Sequence, residues 1–369
     1  LSVKLTIGTM SGTSRDGIDV ALLETDAKGY NKLAAFYEMS YEGAFKSRLA
    51  RACEMALALN SPSEATDYIA DVEHELTMLH AKAIDKLLSL ADAAHAMKDR
   101  EVAAIGFHGH TVAHRPEKGW TWQIGDAKKL AFLTNLPVIF NMRQVDVDAG
   151  GQGAPLLPVY HAALAHNLRK PAAILNLGGV ANISWISENG EIIAFDTGMA
   201  NALIDDWVSK YSDLSYDKNG AIAARGKIDE AIVSALLNHD FFAKKWPKSL
   251  DRDDFNLVRL SDLSLEDGAA TLTAFTVRAV KIALNMLPQR PQEIYICGGG
   301  RHNIFIMQQL AEICGVEVHN VDKLDWNGDS IEAEGFAYIA ARVLKGAQYS
   351  FAETTGRQSD IIMPKIYLP

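Results

Sequence analysis

Cysteine is scarce. The 369 residues hold three, Cys53, Cys297 and Cys314, with no C-x-x-C pair. An odd, scattered set excludes a zinc cluster or disulfide framework as the organising device and fits a reducing compartment. Positive charge is also short: 36 Lys and Arg face 46 Asp and Glu, for a net charge of −10. That argues against nucleic acid or an anionic membrane as the main partner, while an anionic small ligand held locally stays open. Long apolar runs are missing. An uncharged stretch, 171–187, is interrupted by Asn176, Gly178, Gly179 and Asn182, and reads as two buried strands around a glycine turn rather than a membrane span. The opening LSVKLTIGTMSG lacks the basic region and long apolar run of a signal peptide. A soluble, cytoplasmic protein is expected.

Common catalytic signatures are absent as well. There is no G-x-x-x-x-G-K-[ST], no G-x-G-x-x-G after a strand and no G-x-S-x-G, so neither a P-loop, a dinucleotide fingerprint nor a nucleophile elbow is supported. His74-Glu75 begins an H-E-x-x-H pattern, but Met78 stands where the second ligand belongs. These residues fit an amphipathic helix face better than a metal site.

What is present is glycine in clusters, at Gly150-Gly151-Gln152-Gly153, Gly178-Gly179 and Gly298-Gly299-Gly300, each beside an apolar, strand-like run. Such placement suggests points where backbone approaches a ligand closely. VKLTIGTM and IDVALLE flank the polar loop SGTSRDG and read as a hairpin. AAILNLGGVANISWI at 172–186 repeats the design, followed by IIAFDTG at 192–198. Further strands are expected at 102–108, 137–141 and 293–299. Ser61-Pro62-Ser63-Glu64 has the form of a helix start. Ile69, Val72, Leu76, Leu79, Ala83, Leu87 and Leu90 then step by three or four. Leu272 through Met286 steps the same way, a helix is expected over 155–168, and a last one follows Asp329-Ser330. At roughly 100–200 residues per domain, the length implies two lobes. The reading is α/β, two related lobes around a central cleft, at 1–150 and 151–369, with the last helix returning toward the first lobe.

Three segments are candidates for chemistry. In Met10-Ser11-Gly12-Thr13-Ser14-Arg15-Asp16-Gly17, small residues would let backbone N–H groups converge on phosphate oxygens, although the same residues make ordinary turns. Phe195-Asp196-Thr197-Gly198 ends a strand with a carboxylate suited to act as a base or to hold a metal. A helix cap is an alternative. The Asp-Thr-Gly of aspartic proteases is another, but the second such triplet that a single-chain enzyme needs is missing. Ile296-Cys297-Gly298-Gly299-Gly300-Arg301-His302-Asn303 is a strand, a glycine run and a helix start, either a seat for a flat adenine ring or a tight turn.

Taken together, these features resemble the actin/hexokinase/Hsp70 ATPase superfold. M-S-G-T-S-x-D-G at 10–17, G-F-H-G-H-T at 106–111, Q-I-G-D at 123–126 and A-G-G-Q-G-A-P-L at 149–156 are similar to the anhydro-N-acetylmuramic acid kinase family. So are N-L-G-G-V-A-N at 176–182, F-D-T-G at 195–198, P-K-S at 247–249 and C-G-G-G-x-x-N at 297–303.

The resemblance implies a kinase that uses ATP and Mg2+, opens the 1,6-anhydro ring of anhydro-N-acetylmuramic acid with water and phosphorylates O6. The product is N-acetylmuramic acid 6-phosphate, an intermediate of cell-wall recycling. It implies Asp196 as the catalytic carboxylate, with Glu332 as a second acid whose place in a helix first turn is also favoured by the helix dipole alone. ATP contacts fall on Gly12, Thr13, Ser14, Arg15, Asp16, Gly17 and Asp19, on Gly179, Asn182, Gly198 and Asn201, and on Gly298, Gly299, Gly300 and Asn303. Sugar contacts fall on His108, Arg143, Asp146 and Gln152. The partners expected are ATP and a small anhydrosugar, with no nucleic acid, no membrane, and a homodimer as the assembly to be tested. Three positions depart from the family pattern: Met199-Ala200 replaces a Pro-Gly pair, His110 a Gln, and Gln144 an arginine. The alternatives are a kinase for a plainer anhydrosugar such as levoglucosan, and a nucleotide-gated binding protein of the Hsp70/actin kind.

Overall fold

In the computed structural model, all residues are described except 1, 13, 98–99, 251–254, 256–259, 261 and 361–362. The chain divides into two units, one of residues 1–166 with 330–369, the other of residues 167–329. Each has its own apolar core.

In the first unit, alternation of apolar and polar residues gives strands β1 (Lys4–Ser11) and β2 (Gly17–Thr25), paired antiparallel across the polar loop as expected. A third antiparallel strand, β3 (Asn31–Ser40), was not legible in the sequence. It lies at the sheet edge with almost every residue only half-buried, so its side chains show no clean alternation. Strand β4 (Val102–Arg115) joins β1 in parallel, runs well past the expected 102–108 and folds back on β5 (Trp120–Ile124). Strand β6 (Val138–Ile139) adds to β4 in parallel, and Ile366–Tyr367 closes this edge.

The helices of this unit are α1 (Gly43–Leu57), α2 (Asp67–Ala93), α3 (Ala127–Thr134), α4 (Met142–Asp148) and α5 (Pro158–Leu164). The expected start of α2 at Ser61 is corrected. Pro62–Glu64 is a separate 3-10 turn, Ala65 leaves the helical region with ψ 132°, and Thr66 caps the helix by accepting from Ile69 N. Helix α5 is shorter than the expected 155–168 and ends in a 3-10 turn at Ala165–Asn167.

The second unit repeats the first. Strands β7 (Ala172–Leu177), β8 (Val180–Ile186) and β9 (Ile192–Met199) form an antiparallel meander. Strands β10 (Glu293–Cys297) and β11 (Glu317–Asn320) add in parallel beyond β7. Helices α6 (Asn201–Tyr211), α7 (Glu230–Leu237), α8 (Leu265–Met286) and α9 (Ile304–Cys314) complete it. The sheet orders match, with β3-β2-β1-β4-β6 answering β9-β8-β7-β10-β11.

Helix α10 (Ile331–Leu344), which a short helix at Ala352–Thr355 follows, lies on β1, β2 and β4 of the first unit. It approaches so closely because glycine meets it. A Cβ at Gly8 would stand 1.9 Å from the Ala333 carbonyl oxygen, and one at Gly106 2.2 Å from that of Phe336. Since backbone cannot yield as a side-chain tip can, Gly8→Ala should lower stability by about 2 kcal/mol. A denaturation midpoint equal to the parent's would contradict this packing account.

The expected boundary at 150/151 is also corrected. Residues 151–166 belong to the first unit, as do 330–369. Buried Asp146 explains the attachment: it accepts from Gly153 N at 2.7 Å, Ser350 Oγ at 2.5 Å and Thr355 Oγ1 at 2.7 Å, tying the glycine loop to the C-terminal segment. Among the described residues, no helix is long and apolar enough to cross a membrane.

Candidate active site

The first-unit group begins at the β1–β2 loop. Arg15 N donates to Gly12 O at 3.0 Å and closes a turn in which Arg15 takes a left-handed φ of 58°. Ser14 Oγ donates to Asp16 Oδ1 at 2.7 Å, and Asp19 sits half-buried opposite Met10. The Arg15 charge acts on Cys53, whose Sγ lies 3.7 Å from His110 Nε2. Thr13 lies outside the described residues. The two glycines differ in kind. A Cβ at Gly17 would stand 2.4 Å from Met39 O, so that glycine serves strand packing. At Gly12 the nearest atom would be Ser14 Oγ at 3.4 Å, which leaves a ligand as a reason for its bareness.

Beneath the loop lies a buried polar chain that sequence reasoning missed. Ser11 Oγ bonds Tyr41 OH at 2.7 Å and His110 Nδ1 at 2.8 Å. His110 is the residue at the family's Gln position, and here it supports the loop from below. Burial, with Arg15 nearby, pushes its pKa down to about 3, so it is neutral at physiological pH.

His108 and His110 owe their directions to an irregularity between β1 and β4. Thr9 pairs with Phe107 but Ser11 with His110, so β4 carries one extra residue. Gly109 allows it, with φ of 70° and Ile124 O only 2.4 Å from where its Cβ would be. His108 Nδ1 bonds Gly109 O at 2.9 Å, and Arg143 Nε donates to His108 Nε2 at 2.8 Å. Burial and the Arg143 charge hold His108 well below the usual histidine range, and the pattern of partners fixes the Nδ1–H tautomer. Arg143 also donates to Gly153 O at 3.0 Å and stands 5.9 Å from the Phe336 ring centre.

Phe107, His108, Gln123, Asn141, Arg143 and Phe336 line one concavity. Of the four expected sugar contacts, it gathers His108 and Arg143. His108 is bound up in positioning Arg143. Asp146 is enclosed and accepts three hydrogen bonds that hold the glycine loop to the C-terminal segment. Gln152 is tied through its backbone N to Thr355 O at 2.7 Å. Gln123, whose amide donates to Thr111 and Thr121, was missed as a lining residue, although the Q-I-G-D motif flagged its strand end.

Glu332 stands half-buried on the first turn of α10. The acid the sequence did not single out is Glu334, two residues on. It is buried and accepts from Tyr160 OH at 2.5 Å and from Ser330 Oγ.

In the second unit, Asp196 occupies β9. The register sets Asn176 opposite Asn182 and Asn182 opposite Asp196, a row of polar side chains across three strands on one face. Ala181 then pairs with Gly198, leaving Thr197 as an extra residue, so Asp196 also sits beside a bulge. Its backbone N donates to Lys248 O at 3.0 Å, and its Oδ2 accepts from Leu250 N at 2.8 Å. Asp196 as a residue is buried, 8% exposed.

The second hairpin turn and the start of α6 are knitted together. Ala200 N and Ala202 N donate to Gly179 O, and Asn201 Nδ2 donates at 2.8 Å to both Leu177 O and Gly178 O. The glycine run packs on this turn. A Cβ at Gly298 would stand 2.3 Å from Asn176 Oδ1, and one at Gly300 2.6 Å from Leu177 Cβ. At Gly299 it would meet nothing within 4 Å, so that glycine alone presents open backbone. Asn303 caps α9 by accepting from Ile306 N at 3.0 Å. Arg301 anchors the run, donating to Gly298 O at 3.2 Å and pairing with Asp329 at 2.6 Å.

Two units with one shared sheet order and glycine turns at their strand ends define the actin-like ATPase fold. The model of the family described as anhydro-N-acetylmuramic acid kinase matches residues 4–369. A curated anhydro-N-acetylmuramic acid kinase from Rhizorhabdus wittichii is 49% identical, covering 95% of each chain, and one from Zymomonas mobilis is 45% identical, covering 95% of this chain and 96% of its own. Among solved structures, a gluconate kinase from Lactobacillus acidophilus aligns at 11% identity over 100% of this chain and 94% of its own, with a TM-score of 0.45. The chain belongs to the anhydro-N-acetylmuramic acid kinase family. It is an enzyme, and membership in a kinase family implies ATP use.

Proposed function

We propose that the chain uses ATP to convert 1,6-anhydro-N-acetylmuramic acid into N-acetylmuramic acid 6-phosphate. The observation that carries this reading is the family match over residues 4–369, with Asp196 held in β9 beside a bulge in the expected motif. Water attacks the anomeric carbon, Asp196 takes the water's proton, and the bond from that carbon to O6 breaks. O6 then attacks the γ-phosphorus and ADP leaves. The loop at 12–19 and the turn at 198–201 meet the phosphates, and open Gly299 receives the adenine face. Glu332 orients the water.

Asp16 and Asp19, whose charges both act on Tyr41, would offer the hard oxygens that suit Mg2+. When bound, the ion supplies neutralisation of phosphate charge. Arg143 takes the lactyl carboxylate of the sugar. Three cysteines outside any disulfide and a dependence on ATP support a cytoplasmic setting.

Mass spectrometry of the product is the test. With ATP and the muramic anhydrosugar, the sugar should gain one water and one phosphoryl group together. Gain of a phosphoryl group alone would leave a simple sugar kinase, and gain of water alone a hydrolase.

A further inference from the structure

The loop between β1 and β2 is built of small residues, Gly12 and Ser14 among them, which do little to fix its shape. Within it, Arg15 N donates to Gly12 O and Ser14 Oγ to Asp16 Oδ1, so these bonds are local. Both arms are tied from outside by one residue. Tyr41 stands between β3 and α1, and its backbone N donates to Asp16 O at 2.8 Å, on the arm that leads into β2. Its phenol bonds Ser11 Oγ at 2.7 Å, on the arm that leaves β1. Glycine brings Tyr41 within reach. Gly17 pairs with Ser40, and a Cβ at Gly17 would stand 2.4 Å from Met39 O. The Tyr41 ring is set edge-on to Phe45, with 4.9 Å between centres. Tyr41 and Ser11 are buried, 8% and 1% exposed. Ser11 Oγ has a second partner in His110 Nδ1 at 2.8 Å, and a hydroxyl can donate to one neighbour while it accepts from the other. Phenol, hydroxyl and imidazole thus form one buried chain, and a satisfied chain of this kind holds its members rigidly.

We propose that Tyr41 is a positioning residue for the nucleotide, clamping both arms of the loop so that its shape is set before the phosphates arrive. The assignment rests on the reading of that loop as a phosphate contact. Phosphoryl transfer depends mainly on positioning, and a loop already ordered loses less entropy when a ligand docks. Phenylalanine would fill the same space against Phe45 and keep the backbone bond to Asp16, so only the tie to Ser11 separates it from tyrosine. A hydroxyl buried here costs free energy unless it is bonded, and its bond goes to the residue directly before Gly12.

The experiment is steady-state kinetics with ATP and the muramic anhydrosugar for the parent, Tyr41→Phe and Ser11→Ala, alongside Gly12→Val. Tyr41→Phe should raise the KM for ATP about fivefold, the worth of one ordinary hydrogen bond, and leave the KM for the sugar as it was. A parental ATP KM, or an equal rise for both substrates, would overturn the proposal and leave Tyr41 to packing. Combined with Ser11→Ala, Tyr41→Phe should raise the ATP KM no further than Ser11→Ala does alone, because the two cut one shared bond. A further rise would show two independent groups and overturn the clamp. Should Tyr41→Phe not fold, Ser11→Ala decides, since it cuts the same bond from the other arm. The same ATP-selective rise is expected there, and its absence overturns the clamp. Gly12→Val tests the underlying reading. A parental ATP KM in the folded Gly12→Val enzyme would remove the loop from phosphate binding. A raised one beside an unmoved Tyr41→Phe would sink the clamp alone.

Discussion

Asp196→Asn should reduce turnover of the anhydrosugar by roughly two to four decades, the usual range for a lost general base, while folding and ATP binding persist. The structure explains why the fold should survive. The amide oxygen of Asn can still accept from Leu250 N, and the backbone bond to Lys248 O does not involve the side chain. What disappears is the capacity to take the proton of the attacking water. Nucleotide affinity by calorimetry separates the two roles: unchanged binding with lost turnover places Asp196 in chemistry. Near-parental turnover of the purified variant would remove it from the base role.

The parts of the fold that were legible are those in which local pattern and tertiary environment agree. Both hairpins could be read because apolar alternation and small turn residues coincide, as in β1–β2 and β7–β8. Edge strand β3 could not, because its half-buried residues carry mixed side chains. Nor could four-residue β11, which is too short to show a period. The unit boundary escaped for another reason. Asp146 bonds Ser350 and Thr355, more than two hundred positions away, and no local signal announces such a knot.

The site divides in the same way. Motifs located the loop at 12–19, Asp196 and the glycine run, since each pairs a strand end with unusual residues. Within a motif, however, sequence does not separate residues that face outward from residues that hold others. Glu332 and Glu334 share a helix turn, yet only Glu334 is buried against Tyr160. His108 and Arg143 were both expected at the sugar, yet the imidazole serves the guanidinium. Lys248 stood in a quoted motif, but its enclosure among Phe241, Phe195 and Met286 depends on packing between distant segments.

That His108–Arg143 arrangement bears on the choice of sugar. Arg143→Ala should lower kcat/KM for the muramic anhydrosugar roughly 10- to 150-fold, the equivalent of a charge-assisted hydrogen bond worth about 1.5–3 kcal/mol. Arg143 is not loose: His108 Nε2 and Gly153 O each hold one side of its guanidinium, and Phe336 lies beside it. Such preorganisation limits the side-chain entropy lost when a carboxylate docks. Truncation also releases His108 and the glycine loop, so a general loss must be told apart from a selective one. Levoglucosan makes that separation, because it shares the anhydro bridge and lacks the carboxylate. A loss confined to the muramic sugar supports carboxylate recognition by Arg143. Equal losses on both sugars would assign the residue to holding His108 and Gly153 in place, and no loss on either would put it outside the site.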